Sequence, residues 1–470
     1  MTRATIAQRL AEFVVGLTFD DLPKSVVEKA TQCVLDQMGV QVIGATQPWN
    51  RLVAEMVVDD GGRPQSTVVA FGSKVPSHAA AYANATCGQG CELDDYLGLR
   101  ASAPLKRKGS VSGHAGAVTI PVALALAETR DGGPTSGREL LTAIVAGYEV
   151  MACITYPIRD GIHDRGFHLD SAVGLFGSTA AAARLLRLTE AETTHAFAIA
   201  GSHASGTMEY DQTGGEVKRL HSGLAARAGV QSAELARRGL TGPSTIFEGK
   251  RGVMRAFGEF DGDASEVTEY LGKDFVTGDV GFKVHPVRSG IAGSLDAVTR
   301  LTAEEDIRFE DIASVDVEVA SQHVVSCGNR RPSDTIGAQM SLPFAVALHL
   351  VTGTHELTQF ADPAMWVDQR VLGIIDRLQL RGSADFKGAE RHTSRVQIRF
   401  NDGREIKAEQ VYPKGSVNNP LTWGELVGKF RHLTAGLLPT TQVDRTIALV
   451  DDIVSLEDAG VLPGQLVQPA

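Results

Sequence analysis

The chain has 470 residues, a length at which one hydrophobic core usually gives way to two domains. Its 43% hydrophobic and 21% charged residues are the balance of a globular protein with a large core. A net charge of -11 and a pI near 5.7 argue against a nucleic-acid partner, which needs a basic surface, but not against a small anionic substrate, because local charge can oppose net charge.

The opening segment, MTRATIAQRLAEFVVGLTFDDLP, lacks the unbroken apolar core of a signal peptide. No apolar run of membrane-spanning length is expected further on, so a soluble, cytoplasmic protein is predicted. The 5 cysteines, an odd and sparse set, fit a reducing compartment; Cys87 and Cys91 are spaced for one helix face and read as buried small side chains rather than metal ligands. Helical spacing begins at SVVEKATQCVLDQMGVQVIG and continues through SHAAAYANATCGQG and AVTIPVALALAE. SGRELLTAIVAGYEVMACIT carries a serine cap with an acid three residues on. SAVGLFGSTAAAARLL, EAETTHAFAIAGSHASG and SGLAARAGVQSAELARRG follow, rich in small residues that let helix axes approach closely.

Near Asp279 the texture changes. SVDVEVAS alternates like a strand, and RVQIRFNDGREIKAEQVYP reads as two strands joined at Asn401-Asp402-Gly403. SLPFAVALHLV and PAMWVDQRVLGIIDRL are helical, and after Pro413 LTWGELVGKFRHLTAG and TTQVDRTIALVDDIV return to helix. The predicted fold is mainly α: a large helical domain of residues 1–275 and 412–470 with an inserted, smaller α+β domain at 276–411. Phosphate-binding, dinucleotide, zinc-protease and nucleophile-elbow motifs are absent from the sequence.

Three alanine-rich helices share one kind of start. His114 precedes AGAVTIPVALALAE; His168 precedes another helix, with Asp170 or Ser171 as the expected cap; Lys218, Arg219 and His221 precede a third, with Ser222 as the expected cap. A helix start exposes unpaired N–H groups and partial positive charge, worth only about 0.3–1 kcal/mol to an anion. Cationic side chains beside such ends add charge-assisted hydrogen bonds. If the starts converge they make a pocket for a multiply charged anion. Glu92, Asp94, Asp95 and Tyr96, in CELDDYLGLR, supply acids beside it. Histidine exchanges protons near neutral pH, so the set suits acid–base work at a carbon next to a carboxylate. Each of these residues taken singly reads first as a local hydrogen bond or a solvated face; the recurrence of one arrangement is what points to a site.

The ordered set ELDD, GHAGAVTIPVALALAE, SGRELLTAIVAGYEV, GFHLDSAVGLFGSTAAAARLL, VKRLHSGLAARAGVQSAELARRGLTGP and FKVHPVRSG resembles the MmgE/PrpD family of 2-methylcitrate dehydratases, cis-aconitate decarboxylases and an iminodisuccinate epimerase branch. The resemblance implies a helical domain with an α+β lid, a homodimer, no metal or other cofactor, and a small polycarboxylate substrate bound between the domains. It places catalytic roles on His114, His168, Lys218 and Glu92, and substrate contacts on Asp94, Tyr96, His221, Arg288 and Arg330. The chain departs from the family's pattern where Glu92 replaces an aspartate and Tyr96 a threonine, and the loop carrying Lys106-Arg107-Lys108 is longer than usual. These departures imply a non-standard substrate. The expected activity is a metal-independent lyase, a dehydratase or decarboxylase. The alternatives are an epimerase of an amino- or imino-dicarboxylate and a non-catalytic polycarboxylate-binding protein.

Overall fold

The computed structural model describes residues 4–98, 113–130, 132–210, 214–260 and 264–468. Lys106, Arg107 and Lys108 therefore lie outside the described residues. The protein is mainly α.

The helical part contains α1 (Ile6–Gly16), α2 (Lys24–Gly44), α3 (Ser77–Gln89), α4 (Ala115–Thr129), α5 (Gly137–Asp164), α6 (Gly174–Leu185), α7 (Glu190–Ala200) and α8 (His221–Arg237). The expected capping box at Ser136 and Glu139 starts α5, so the local signal and the structure agree there. By length and composition α5 could cross a membrane, which corrects the expectation that no such run exists. It is instead a central core helix: 83% of its most apolar window is buried. The run read as one helix from Ser171 is broken at Val173, where φ is -126°, into a turn at Leu169–Ala172 and α6.

Small residues set the spacing. α8 packs against both α3 and α6. A Cβ on Gly223 of α8 would stand 2.6 Å from the Tyr82 carbonyl of α3, so only glycine permits this approach. Close packing of α3, α4, α6 and α8 draws their ends together, although their sequence positions are far apart.

A short antiparallel pair, β1 (Asp95–Leu97) and β2 (Val280–Phe282), aligns Tyr96 with Gly281. It sets the acidic motif beside the start of the α+β unit, although most of the helical part lies between them in sequence. Buried Glu149 on α5 anchors the approach, accepting from the Val276 and Thr277 amides at 3.0 and 2.9 Å. The unit itself has α9 (Ser289–Glu304), β3 (Ile312–Ala320), α10 (Leu342–Thr352), α11 (Gln369–Arg377), β4 (Leu378–Ser383), β5 (Ser394–Phe400) and β6 (Glu405–Gln410). Its sheet runs β4-β3-β5-β6. The Asn401-Asp402-Gly403 turn joins β5 to β6 with Gly403 at φ +88°, as its residue types predict. β4, which pairs parallel to β3, was not expected; LQLRGS has too few apolar residues to advertise a strand.

Buried apolar side chains form two large clusters. One runs from Ile6 to Phe282 and resumes at Leu421–Leu466; the other spans Val287–Ala408. The last helices, α12 (Trp423–Thr434) and α13 (Thr440–Asp451), pack on α2. Lys429 of α12 ties Asp36 of α2 (2.6 Å) to the Leu93 carbonyl (2.7 Å), holding the acidic motif in place. Leu357 of the α+β unit joins Val40, Cys91, Leu93 and Leu433 in a small apolar cluster at the seam.

Candidate active site

The starts of α4 and α8 and the turn after His168 meet. His168 and His221 face each other, Nδ1 to Nδ1, at 3.0 Å. His168 Nε2 lies 3.5 Å from Asp170 Oδ2, and Asp170 Oδ1 accepts from the His114 backbone N–H at 2.9 Å. Gln89 at the end of α3 donates to Asp170 and accepts from Ser222 Oγ at 2.6 Å. Ser222 is thus inside α8 and holds Gln89, not the helix cap; His168 itself occupies the position before the Leu169–Ala172 turn. The start of α4 is already occupied as well. The His114 and Gly116 amides donate to Asp170 and Asp95, the latter at 3.0 Å. The protein's own carboxylates take up this helix end, so attraction for an external anion rests on side-chain cations.

His114 is placed for proton exchange. Its Nδ1 bonds the Asp95 carbonyl at 2.7 Å, and a carbonyl only accepts, so the proton sits on Nδ1 and Nε2 is the exchanging nitrogen. Asp94 Oδ2 is also 2.7 Å from Nδ1. Burial disfavours charge on the ring, but Asp94 and Asp170 outweigh it and raise the His114 pKa. Asp94 is pushed up by burial, yet His114 and Lys283 bring it down to about 2. His168 goes the other way, lowered by burial first and by His114 among the charges. His221 falls to about 4, through burial and the neighbouring His168. The site thus sets one imidazole whose charged form is favoured beside two whose neutral form is favoured.

The acidic motif is held in a costly conformation. Glu92 has φ +57°, a left-handed backbone that disfavours a side chain by about 1–2 kcal/mol. Its carboxylate pairs with Lys218 and with Lys283, the latter at 3.1 Å; Lys283 also reaches Asp94 Oδ1 at 3.1 Å. Burial, then the Lys283, Arg219 and Arg288 charges, hold Lys218 well below the usual lysine range. Arg219 lies 3.8 Å above the Trp49 ring and donates to the Gly90 carbonyl. Gln339 of the α+β unit donates to the Cys91 and Pro286 carbonyls, each at 2.9 Å, and locks that unit onto the motif.

Residues 8–263 match the MmgE/PrpD N-terminal domain and residues 285–453 the MmgE/PrpD C-terminal domain. The chain belongs to the MmgE/PrpD family. Over 96% of its length it is 28% identical to the cis-aconitate decarboxylase-like protein oryM of Aspergillus oryzae, covering 94% of that protein. It is 26% identical to the cis-aconitate decarboxylase of Aspergillus terreus, covering 98% of this chain and 95% of the relative. A fungal alkylcitrate dehydratase, phiI, is 24% identical over 64% of this chain and 62% of its own. The MmgE/PrpD C-terminal match runs through α12 and α13, whose side chains nevertheless belong to the helical core.

Of the family-derived positions, the structure brings together Glu92, Asp94, His114, His168, Lys218 and His221. Arg288 stands before α9, donating to the Ser326 carbonyl at 3.4 Å, near enough for its charge to act on Lys218. Tyr96 points toward the seam instead, lining a small cavity with Arg391 and His392; burial raises its hydroxyl to about 12. Arg330 does not join the cluster. Its guanidinium donates to the Ile375 carbonyl and, at 3.0 Å, to the Leu378 carbonyl, completing the end of α11 within the α+β unit. Lys283, Gln89 and the carboxylate role of Asp170 were not expected. Lys283 stands in the FKVHPVRSG stretch directly after β2, but its partners come from 189 and 191 residues away. Among the described residues, no group of three or more His, Cys, Asp or Glu side chains is arranged to hold a metal ion.

Proposed function

We propose that this protein is a lyase acting on a small di- or tricarboxylate by proton transfer at a carbon alpha to a carboxylate, without a metal. The observation that carries the reading is the raised-pKa His114, held through Nδ1 by the Asp95 carbonyl and the Asp94 carboxylate beside the buried Lys218–Glu92–Lys283 ion cluster. The decarboxylase names of the relatives that span nearly the whole chain favour decarboxylation; the dehydratase relative supports the alternative loss of water.

In this reading Lys218, Lys283 and Arg288 hold substrate carboxylates, with His221 as a neutral donor. In a decarboxylation the C–C bond to the departing carboxylate breaks, and its electron pair is held as an enediolate on the remaining conjugated acid. His114 then gives a proton to carbon. In a dehydration neutral His168 takes the alpha proton and His114 protonates the leaving hydroxyl. Fixed donors that stabilise the enediolate in a site closed to water supply the largest effect, and the histidine adds about 10²–10⁴-fold. The α+β unit of residues 276–411 acts as the lid over the site. The active form is a homodimer in the cytoplasm. Glu92, where the family carries a shorter side chain, adapts the site to a substrate other than 2-methylcitrate.

The test is incubation with cis-aconitate, citrate, 2-methylcitrate and aspartate-derived acids in heavy water, following mass and released gas. Carbon dioxide or water loss that disappears in folded His114→Ala and Lys218→Ala supports the lyase. Deuterium uptake without either loss assigns an epimerase, and binding without exchange assigns a non-catalytic protein.

A further inference from the structure

Away from the histidine cluster, the seam between α5 and the α+β unit opens a cavity of about 440 Å³. Arg159 of α5 stands on one wall; Lys387 and Arg391 of the unit stand on the other, with Ser321, Gln322 and Ser383 between them. Among the described residues no carboxylate lines it, in a chain whose net charge is -11. Arg159 Nε is buried, with no hydrogen-bond partner among the described residues. Its NH1 meets the neighbouring Asp160 at 2.8 Å, whose side chain is 84% exposed; such a surface pair contributes little and is easily exchanged for another anion.

We infer that this seam cavity is a second anion site, which takes a carboxylate of a small polycarboxylate between Arg159 on the helical part and Lys387 and Arg391 on the α+β unit. Guanidinium groups pair with carboxylates through two parallel N–H bonds, and the two serines and the glutamine complete the hydrogen bonding of a small acid. Burial first and then the Arg159 charge push the Arg391 pKa down to about 10, which is the repulsion an anion between them would relieve. The site also leads inward. Arg391 lines a second, smaller cavity with Tyr96 and His392. His323 stacks on His392, ring centroids 5.3 Å apart, and each has a buried Nδ1 with no partner among the described residues. Arg288 lies near enough to lower the pKa of both histidines and of Lys218. A row of basic groups thus runs from the seam to the buried cluster. A polycarboxylate held at the seam would bridge the two parts of the protein on its way to the ion cluster. That the acid is a substrate rests on the lyase reading; that the seam binds it does not.

The experiment is calorimetric titration with citrate at fixed ionic strength, in the Lys218→Ala protein, where the buried cluster has lost one of its cations. Citrate binding is expected to persist there and to weaken at least tenfold when Arg159→Gln and Lys387→Gln are added. Lys24→Gln, whose parent side chain is 92% exposed elsewhere on the surface, should leave the affinity unchanged. Absence of citrate binding in Lys218→Ala, equal affinity with and without the seam substitutions, or equal weakening by Lys24→Gln would each overturn the inference. Failure of the lyase reading shows separately, as wild-type protein that binds citrate by this pattern yet turns over none of the acids.

Discussion

His114 and Asp94 lie 2.7 Å apart, Nδ1 to Oδ2, with the Asp94 side chain wholly buried. Water cannot screen this pair, so each group strongly biases the charge of the other. The acid 20 residues before His114 in sequence thereby favours the charged form of that histidine.

His114→Ala is expected to lower turnover by about 10²–10⁴-fold, the range for a positioned proton carrier. Asp94→Asn removes the anion that raises the His114 pKa. The alkaline limb of its turnover profile should therefore move to lower pH. A pH–rate profile of folded Asp94→Asn with that limb unmoved would separate Asp94 from the proton chemistry.

The same pair predicts a pH window for stability. The folded pKa of His114 is raised above 6.5, so its stabilisation is fully present below 6.5 and is lost as pH rises through the folded value. Asp94 is depressed to about 2 from 3.8, so its contribution is present above 3.8 and is lost as pH falls through about 2. Urea midpoints of wild type and His114→Gln should differ most between pH 4 and 6 (about the range between the two unfolded values) and converge as pH rises. A gap that widens with rising pH contradicts the ion pair.

Glu92→Gly tests backbone strain against ion pairing. Glycine adopts φ +57° freely and should recover about 1 kcal/mol. It also leaves Lys218 and Lys283 without their shared carboxylate, and stripping a buried pair of one partner costs about 3–5 kcal/mol. Net destabilisation in urea is expected, with Glu92→Asp falling between. A Glu92→Gly protein more stable than wild type would mean that the cluster contributes nothing.

Gly223→Ala tests the packing that assembles the site. The added methyl meets the Tyr82 carbonyl at 2.6 Å, and α3 and α8 must separate. Overpacking of this kind costs about 1–3 kcal/mol. Thermal denaturation should register that loss, with reduced turnover because Gln89 and Ser222 no longer meet. An unchanged melting temperature would show that the contact has slack.

The helices were legible where local chemistry suffices. Ser136 with Glu139 announces α5, and Asn401-Asp402-Gly403 announces the β5–β6 hairpin, because each depends on neighbours within four residues. β4 was not, since its strand state comes from pairing with β3 and not from its own alternation. The caps expected at Ser222 and Asp170 were also misplaced. Both side chains have a stronger use across the fold, Ser222 on Gln89 and Asp170 on the His114 amide.

The sequence by itself determined the mainly helical architecture, the small-residue helix faces and the stock of His, Lys and acidic side chains near helix starts. Periodicity and capping are local properties, and they survive without knowledge of the fold. Only the tertiary structure decided that Lys283 shares Glu92 with Lys218, that Arg330 completes a helix end, and that the His114 pKa is raised while those of His168 and His221 are lowered. Burial and Coulomb energy depend on distance through space, which chain order does not encode.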